Sequence, residues 1–419
     1  MRSLKRAVLV LCLLAWTLPI FGQDHRAFQD ELAGIRERAR WRLGPLLIFP
    51  ALQIQDVGYD DNVYMESPQE GPVSDYRATL SPQIKFNVVL GGSLLLSFLE
   101  NPEYLYYNRE KSRRAFGNSI TPGFRVLLLR RFVLSGNYDY QKHFRSLSRE
   151  VDLLTENISQ GYHGEIFFET PRMTSLGISA DIRQYAHENL DLQGSSNGLA
   201  KELNREERSA HAELYYSLSP VRVFFLKAGY TEYRFKSAVA SWRDSYSWQA
   251  SGGIRFSPAG RIQGLLSLGY KELHPRKSVK RSFSGIFGNT ELNMRLGRIT
   301  LRGQYSRDPV FSYWSDIFFF VDHRYGGGLS FYLSQFLRLD YSFNQSRMNY
   351  PNPVPYRDSS GVRDIRRNDR GNLHSAGLMF RLFRTTGLGI SANYVDRSSS
   401  YPGLGYKRLF IGGSLSYEF

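Results

Sequence analysis

Residues 409–419 read LFIGGSLSYEF, with Leu409, Ile411, Gly413, Leu415, Tyr417 and Phe419 on one parity and Phe410, Gly412, Ser414, Ser416 and Glu418 on the other. Successive side chains of a strand point to opposite faces, so this segment carries one apolar face and one mostly polar face. A soluble sandwich covers such a face with a second sheet, whereas a closed sheet in a bilayer covers it with lipid. The rest of the chain decides between these.

The period of two begins near residue 47 and persists. Phe132, Leu134, Gly136 and Tyr138 alternate with Ser135, Asn137 and Asp139. Ile299, Leu301, Gly303 and Tyr305 alternate with Thr300, Arg302 and Gln304, and Leu388, Ile390, Ala392 and Tyr394 with Gly389, Ser391 and Asn393. About eighteen such segments follow one another, several sharing a template of apolar, apolar, small, tyrosine. Their connections fall into two classes. Tight ones lie near 91, 130, 170, 219, 257, 296, 333 and 383; long polar ones lie near 59–75, 188–208, 273–282, 345–370 and 396–406. Short turns on one side and long loops on the other are the rhythm of an up-and-down outer-membrane barrel. The expected fold is therefore all-β, a transmembrane antiparallel barrel of about eighteen strands over 45–419, with both termini on the periplasmic side. Closure removes the sheet edge, which lipid cannot hydrate.

Bulk properties agree. The 419 residues are 14% aromatic and 22% charged, and no apolar run of about 20 residues needed for a membrane-crossing helix appears past residue 22. Residues 1–22 have Arg2, Lys5 and Arg6 ahead of a short apolar core and read as a signal peptide. The only cysteine, Cys12, lies inside that core, so the exported protein is expected to have no disulfide. The formal charge of +15 falls to about +12 without the leader's three basic residues. Export excludes nucleic acid as the partner and favours anionic lipid head groups, lipopolysaccharide or an anionic solute. Residues 23–44 carry Phe28, Leu32, Ile35 and Ala39 at spacings of four, three and four, predicting a short amphipathic periplasmic helix.

The stretch 45–64 ends in Tyr59, Asp60, Asp61, Asn62, Val63 and Tyr64, after a strand containing Pro50. It resembles the opening strand of β-barrel porin families of exporting bacteria. That resemblance implies an outer-membrane barrel of around eighteen strands, and for some members a port for exopolysaccharide served by periplasmic polysaccharide-export components. The alternative reading of Asp61 and Asn62 is a polar turn at the strand's outer end. Residues 409–419 are similar to the terminal signal of Gram-negative outer-membrane barrels, with Ile411, Leu415, Tyr417 and Phe419 matching and Gly413 the weakest position. That similarity implies recognition by the barrel assembly machinery.

On the lumen parity stand Lys85, Arg125, Arg183, Arg255, Arg295, Arg302, Arg338 and Arg381 against Asp139, Glu165, Asp181, Glu213, Glu291 and Asp340. Interspersed charges of this kind either pair across the wall or set up a transverse field with a modest anion bias. Eighteen strands enclose a bore too wide for side chains alone, so water or a folded-in segment must occupy it. The stretch 308–320, DPVFSYWSDIFFF, is dense in aromatics that suit either a sugar path or membrane-interface anchoring. No G-x-S-x-G, H-E-x-x-H or phosphate-loop motif occurs, and no cofactor or metal site is expected. The sequence thus predicts a channel, with a plugged barrel for binding or adhesion as the rival and a barrel hydrolase behind it.

Overall fold

The computed structural model describes residues 26–419, apart from 130, 147–149, 151–153, 171–173, 190–200, 257–259, 278–281, 315–316 and 359–360. The leader expected over 1–22 lies outside the described residues.

Eighteen strands make one closed antiparallel sheet. They are β1 Leu46–Asp60, β2 Asp75–Leu90, β3 Leu94–Tyr107, β4 Ala115–Leu128, β5 Phe132–Ser146, β6 Leu154–Glu169, β7 Thr174–Asn189, β8 Arg205–Ser219 and β9 Arg222–Phe235. The circuit continues with β10 Ser245–Phe256, β11 Ile262–Pro275, β12 Phe283–Leu296, β13 Ile299–Phe311, β14 Phe319–Tyr332, β15 Leu337–Asn349, β16 Asn368–Arg381, β17 Thr386–Ser399 and β18 Tyr406–Glu418. Each strand pairs with the next, and β18 returns to β1 through Ala51↔Glu418 to Asp60↔Phe410. The eight tight connections predicted from the sequence all fall at one end of the barrel, and the long ones at the other. A hairpin of Val354–Asp358 with Gly361–Ile365 extends the connection between β15 and β16.

Register explains the recurrent small position. In β5, Phe132, Leu134, Gly136 and Tyr138 share the outer face, and a Cβ on Gly136 would lie 2.7 Å from the Phe124 ring of β4. Glycine lets that ring lie flat across the neighbouring strand. Tyrosines then pair above it, Tyr138 with Tyr162 at 5.0 Å between centroids and, farther round, Tyr305 with Tyr325 at 5.3 Å.

The predicted amphipathic segment is helix α1, Arg26–Arg38. Its Phe28, Leu32 and Ile35, with Ala39 just beyond its end, are buried against Leu47, Val89 and Leu95, with Phe49 and Leu127 beside them. These wall residues lie on the face that also carries Lys85 and Arg125. The helix therefore stands inside the short-turn mouth, against the inner wall of β1–β4. Burying three such side chains contributes roughly 1.5–3 kcal/mol each. A three-residue strand, Trp41–Leu43, then pairs with Leu46–Ile48 and leads into β1.

Candidate permeation pathway

Cross-strand register carries charged side chains from strand to strand on a single face. Arg125 opposes Ser135, Ser135 opposes Glu165, and Glu165 opposes Ser179 on β7. Gly177 of β7 opposes Glu213, which opposes Lys227. Farther round, Gln304 opposes Glu291 and Gly326, and Arg302 opposes Gly328. The opposite parity holds Ile178, Leu268 and Ile390, which are 68%, 62% and 61% exposed. Large aliphatics left that open around a closed sheet form a belt suited to lipid. The charged face is thus the lumen, and all fourteen charges placed on the lumen parity from the sequence lie on it.

They do not form one network. Glu213 pairs with Lys227 at 2.6 Å and Arg338 with Asp340 at 2.8 Å, while the Arg183 guanidinium lies 3.7 Å from Asp139. Arg125 pairs with Glu31 of α1, so the inserted helix holds it rather than another wall strand. Glu165 accepts a hydrogen bond from Ser135 at 3.4 Å, and Arg255 lies over the Tyr215 ring. The side chains of Lys85, Glu291, Arg295, Arg302 and Arg381 make no ion pair or hydrogen bond among the described residues.

Two cavities open from the lumen face. A chamber of about 990 Å³ lies toward the long-loop end, lined from β6 round to β18 by residues including Asn157, Lys271, Asp308, Arg324, Asn344 and Arg397. Lys271 donates to Asp308 at 3.0 Å across its wall. A recess of about 320 Å³ lies nearer the short turns, lined by β13–β18 and including Arg302, Arg338 and Asp340. The sequence reading passed over Lys271 and Asp308, although each stands at lumen parity on its strand.

The long-loop mouth is capped. Glu150, in the connection between β5 and β6, meets groups carried by β13–β17, about half a circuit away. Its carboxylate accepts from Ser312 Oγ at 3.0 and 3.1 Å and from the Tyr313 backbone N–H at 2.7 Å. Arg367 Nη1 lies 3.4 Å from it, and the same guanidinium donates to Asp369 at 2.6 Å. Arg397 donates to the Glu150 carbonyl at 3.0 Å and to Asp369 at 3.2 Å. Burial pushes the Glu150 carboxyl above the usual carboxylate range, against the pull of the Tyr313 N–H, Arg367 and Ser312. Nearby, buried Arg243 pairs with Glu202 at 3.2 Å and donates to the carbonyls of Tyr313 and Trp314; burial lowers its pKa.

Of the aromatics in 308–320, Phe311 lines the chamber, while others turn inward. Phe318, Phe319 and Phe320 are buried with Leu273, Phe283, Met348, Tyr350 and Val354 in the apolar core of this cap. Long loops leave backbone groups to satisfy, and aromatic bodies give the cap a hydrophobic interior of its own.

The Tyr59–Tyr64 stretch clasps the join between first and last strands. Asp60, fully buried, accepts from Arg408 Nε at 2.8 Å, with Arg77 at 3.6 Å. Asp61 accepts from the Leu409 N–H at 2.7 Å, and Asn62 donates to the carbonyls of Lys407 and Glu66. Val63 is buried, and Tyr64 stacks under Arg113 and donates to Glu110, which together with burial pushes its hydroxyl pKa up to about 12. These residues do make a polar turn, but one that binds β18 to β1.

Residues 170–312, about a third of the chain, match the family described as "Putative beta-barrel porin 2". No curated protein sequence matches the chain. Among solved structures, the FrpB iron transporter from Neisseria meningitidis is similar at 9% identity and a TM-score of 0.47, over 88% of this chain and 63% of that one. OpdO from Pseudomonas aeruginosa is similar at 11% identity and 0.47, over 89% and 97%. The siderophore receptor PirA from Acinetobacter baumannii is similar at 8% identity and 0.44, over 89% and 80%. The chain spans less than two thirds of the FrpB length. The closed eighteen-strand sheet with its apolar belt is thus a transmembrane β-barrel, and over residues 170–312 it is similar to the β-barrel porins that the family describes.

Proposed function

We propose that the protein is a porin-like channel for small hydrophilic solutes, with a modest preference for anions. The chamber of about 990 Å³, bounded by strands on both sides of the lumen, carries the reading. A polar, charge-lined interior of this size is a hydrated space rather than a core. Lys85, Arg295, Arg302 and Arg381, against Glu291, have no ion pair or side-chain hydrogen bond among the described residues, and this supports the anion bias. Leader cleavage, periplasmic termini, contact with lipopolysaccharide and recognition of the terminal strand by the assembly machinery belong to the same reading.

Export of an exopolysaccharide would require both mouths to clear, the outer one of the Glu150 cap and the inner one of α1. A binding or adhesion role would leave both in place, and this is the second reading that the capped mouth favours. Single-channel recording of the refolded protein in planar bilayers separates them. Steady steps, blocked in size order by neutral polymers, are expected of the channel. A verified, heat-modifiable barrel that stays silent would move the function to surface binding.

A further inference from the structure

The two halves of the lumen wall are built differently. Along β3–β8 the inner face is crowded with bonded side chains. His163 lies 2.6 Å from Asp181, Thr121 donates to Asp139 at 3.0 Å, and His143 approaches both Ser119 and Glu103. At the short-turn mouth of the neighbouring strands, α1 adds a second layer, tied by Glu31 to Arg125 and by Gln29 to the Gly92 carbonyl.

The other half is nearly bare. The recess along β13–β18 is faced by Gly328, Ser342, Ser375, Gly377, Gly389 and Ser391. Apart from Arg302, Arg338, Asp340 and Met379 its lumen-facing side chains are small, and neighbouring side chains lie close over two glycines. A Cβ on Gly326 would fall 2.3 Å from Gln304 Nε2, and one on Gly389 would fall 2.5 Å from Ser414 Oγ. Gly328 differs, with its nearest neighbours at 3.5 Å and beyond, so the wall beside Arg302 is open. Of the charges facing the recess, Asp340 is neutralised by Arg338, while Arg302 has no partner among the described residues.

We propose that the solute route hugs this glycine and serine wall. It descends from the chamber past Arg302 and leaves the short-turn mouth on the side away from α1, and its ligand class is small hydrated anions. The inference deepens the porin-like reading and rests on it. Serine hydroxyls can donate to an anion and replace part of its hydration without trapping it, and the Arg302 guanidinium supplies attraction without a deep well. The crowded half supplies support rather than passage.

Cysteine scanning tests the route, since Cys12 is the only native cysteine. Ser342→Cys and Ser391→Cys on the bare wall, and Asn137→Cys on the crowded wall, are recorded in bilayers before and after sulfonatoethyl methanethiosulfonate. Modification on the bare wall is expected to cut single-channel conductance by about half and to reduce anion preference, while modification at position 137 changes it little. Chloride and phosphate permeability ratios read the anion arm directly. Equal effects on both walls, or a larger one at 137, overturn the route while leaving a channel. A barrel silent before modification overturns the porin-like reading and the route with it.

Discussion

Glu150 and Arg367 stand 217 residues apart in sequence, yet the Glu150 carboxylate lies 3.4 Å from Arg367 Nη1 and both side chains are withdrawn from solvent. The pair shares the cap with Asp369 and Arg397, so two acids and two bases balance each other out of water. Breaking a buried pair by removing one member costs on the order of 3–5 kcal/mol, because the survivor keeps its desolvation penalty. Glu150→Ala is therefore expected to loosen the cap without unfolding the barrel. Limited proteolysis should cut residues 350–367 faster while heat-modifiability stays unchanged, and identical digestion patterns would count against the bond holding the cap.

The same carboxyl makes the cap sensitive to pH. Burial raises its pKa, so a capped Glu150 takes up a proton at higher pH than a released one would. A raised acid pKa means that lowering pH into the window just above the ordinary carboxylate range favours the capped form, and raising it again favours release. Arg367, Ser312, Tyr350 and the Tyr313 N–H pull its pKa the other way, and burial outweighs them. Conductance should fall on acidification through that window in the native chain and lose most of this dependence in Glu150→Gln.

Helix α1 narrows the other mouth. Leu32, almost fully buried between helix and wall, has no polar partner for a charge, so Leu32→Asp should expel the helix. Since β1–β4 stay hydrogen-bonded to their neighbours, the barrel survives. Conductance is expected to rise, with protease access to residues 26–43; a conductance equal to the native value would mean that the helix does not obstruct the path.

Charge reversal separates field from structure. Arg302→Glu with Arg338→Glu should turn the modest anion preference toward cations in reversal-potential measurements under a salt gradient. Arg302→Glu alone carries most of the shift, because Arg338 is already compensated by Asp340. An unmoved reversal potential would leave the two arginines as wall packing.

At the C-terminal strand, Tyr417 and Phe419 stack edge to face at 4.7 Å, and Arg40 donates to the Phe419 carbonyl. Deleting Phe419 is expected to lower the amount of heat-modifiable barrel in the outer membrane severalfold; undiminished assembly would show that the terminal ring is dispensable.

Much of the fold was legible because a barrel repeats one rule. A period of two names the inner and outer face of every strand, and turn residues name the ends, so the strand number and all eight tight turns followed from sequence. The apolar stripe of α1 was equally plain: Phe28, Leu32, Ile35 and Ala39 are the residues that pack. Where that stripe docks was not, since amphipathicity specifies a face and not its partner. Loops have no period at all. Glu150 gives no local sign of the arginines it meets, and Phe318, Phe319 and Phe320 of the stretch 308–320, read as membrane-interface anchors or a sugar track, lie in the interior of the cap. Lys271 and Asp308 were within reach, for each continues the lumen parity of its strand.

The join of β1 to β18 has eight registered pairs interrupted by a bulge between Ile54 and Val57, where β5 and β6 share fifteen without a break. It also joins the first strand of the barrel to the last, the pairing of greatest sequence separation and so the costliest in loop-closure entropy. A cylinder fastened this way has a zip with a preferred place to start: heat or denaturant should unfasten the circumference there first, and the Asp60–Arg408 clasp sits like a stud at its upper end, deciding how hard the first tooth is to pull.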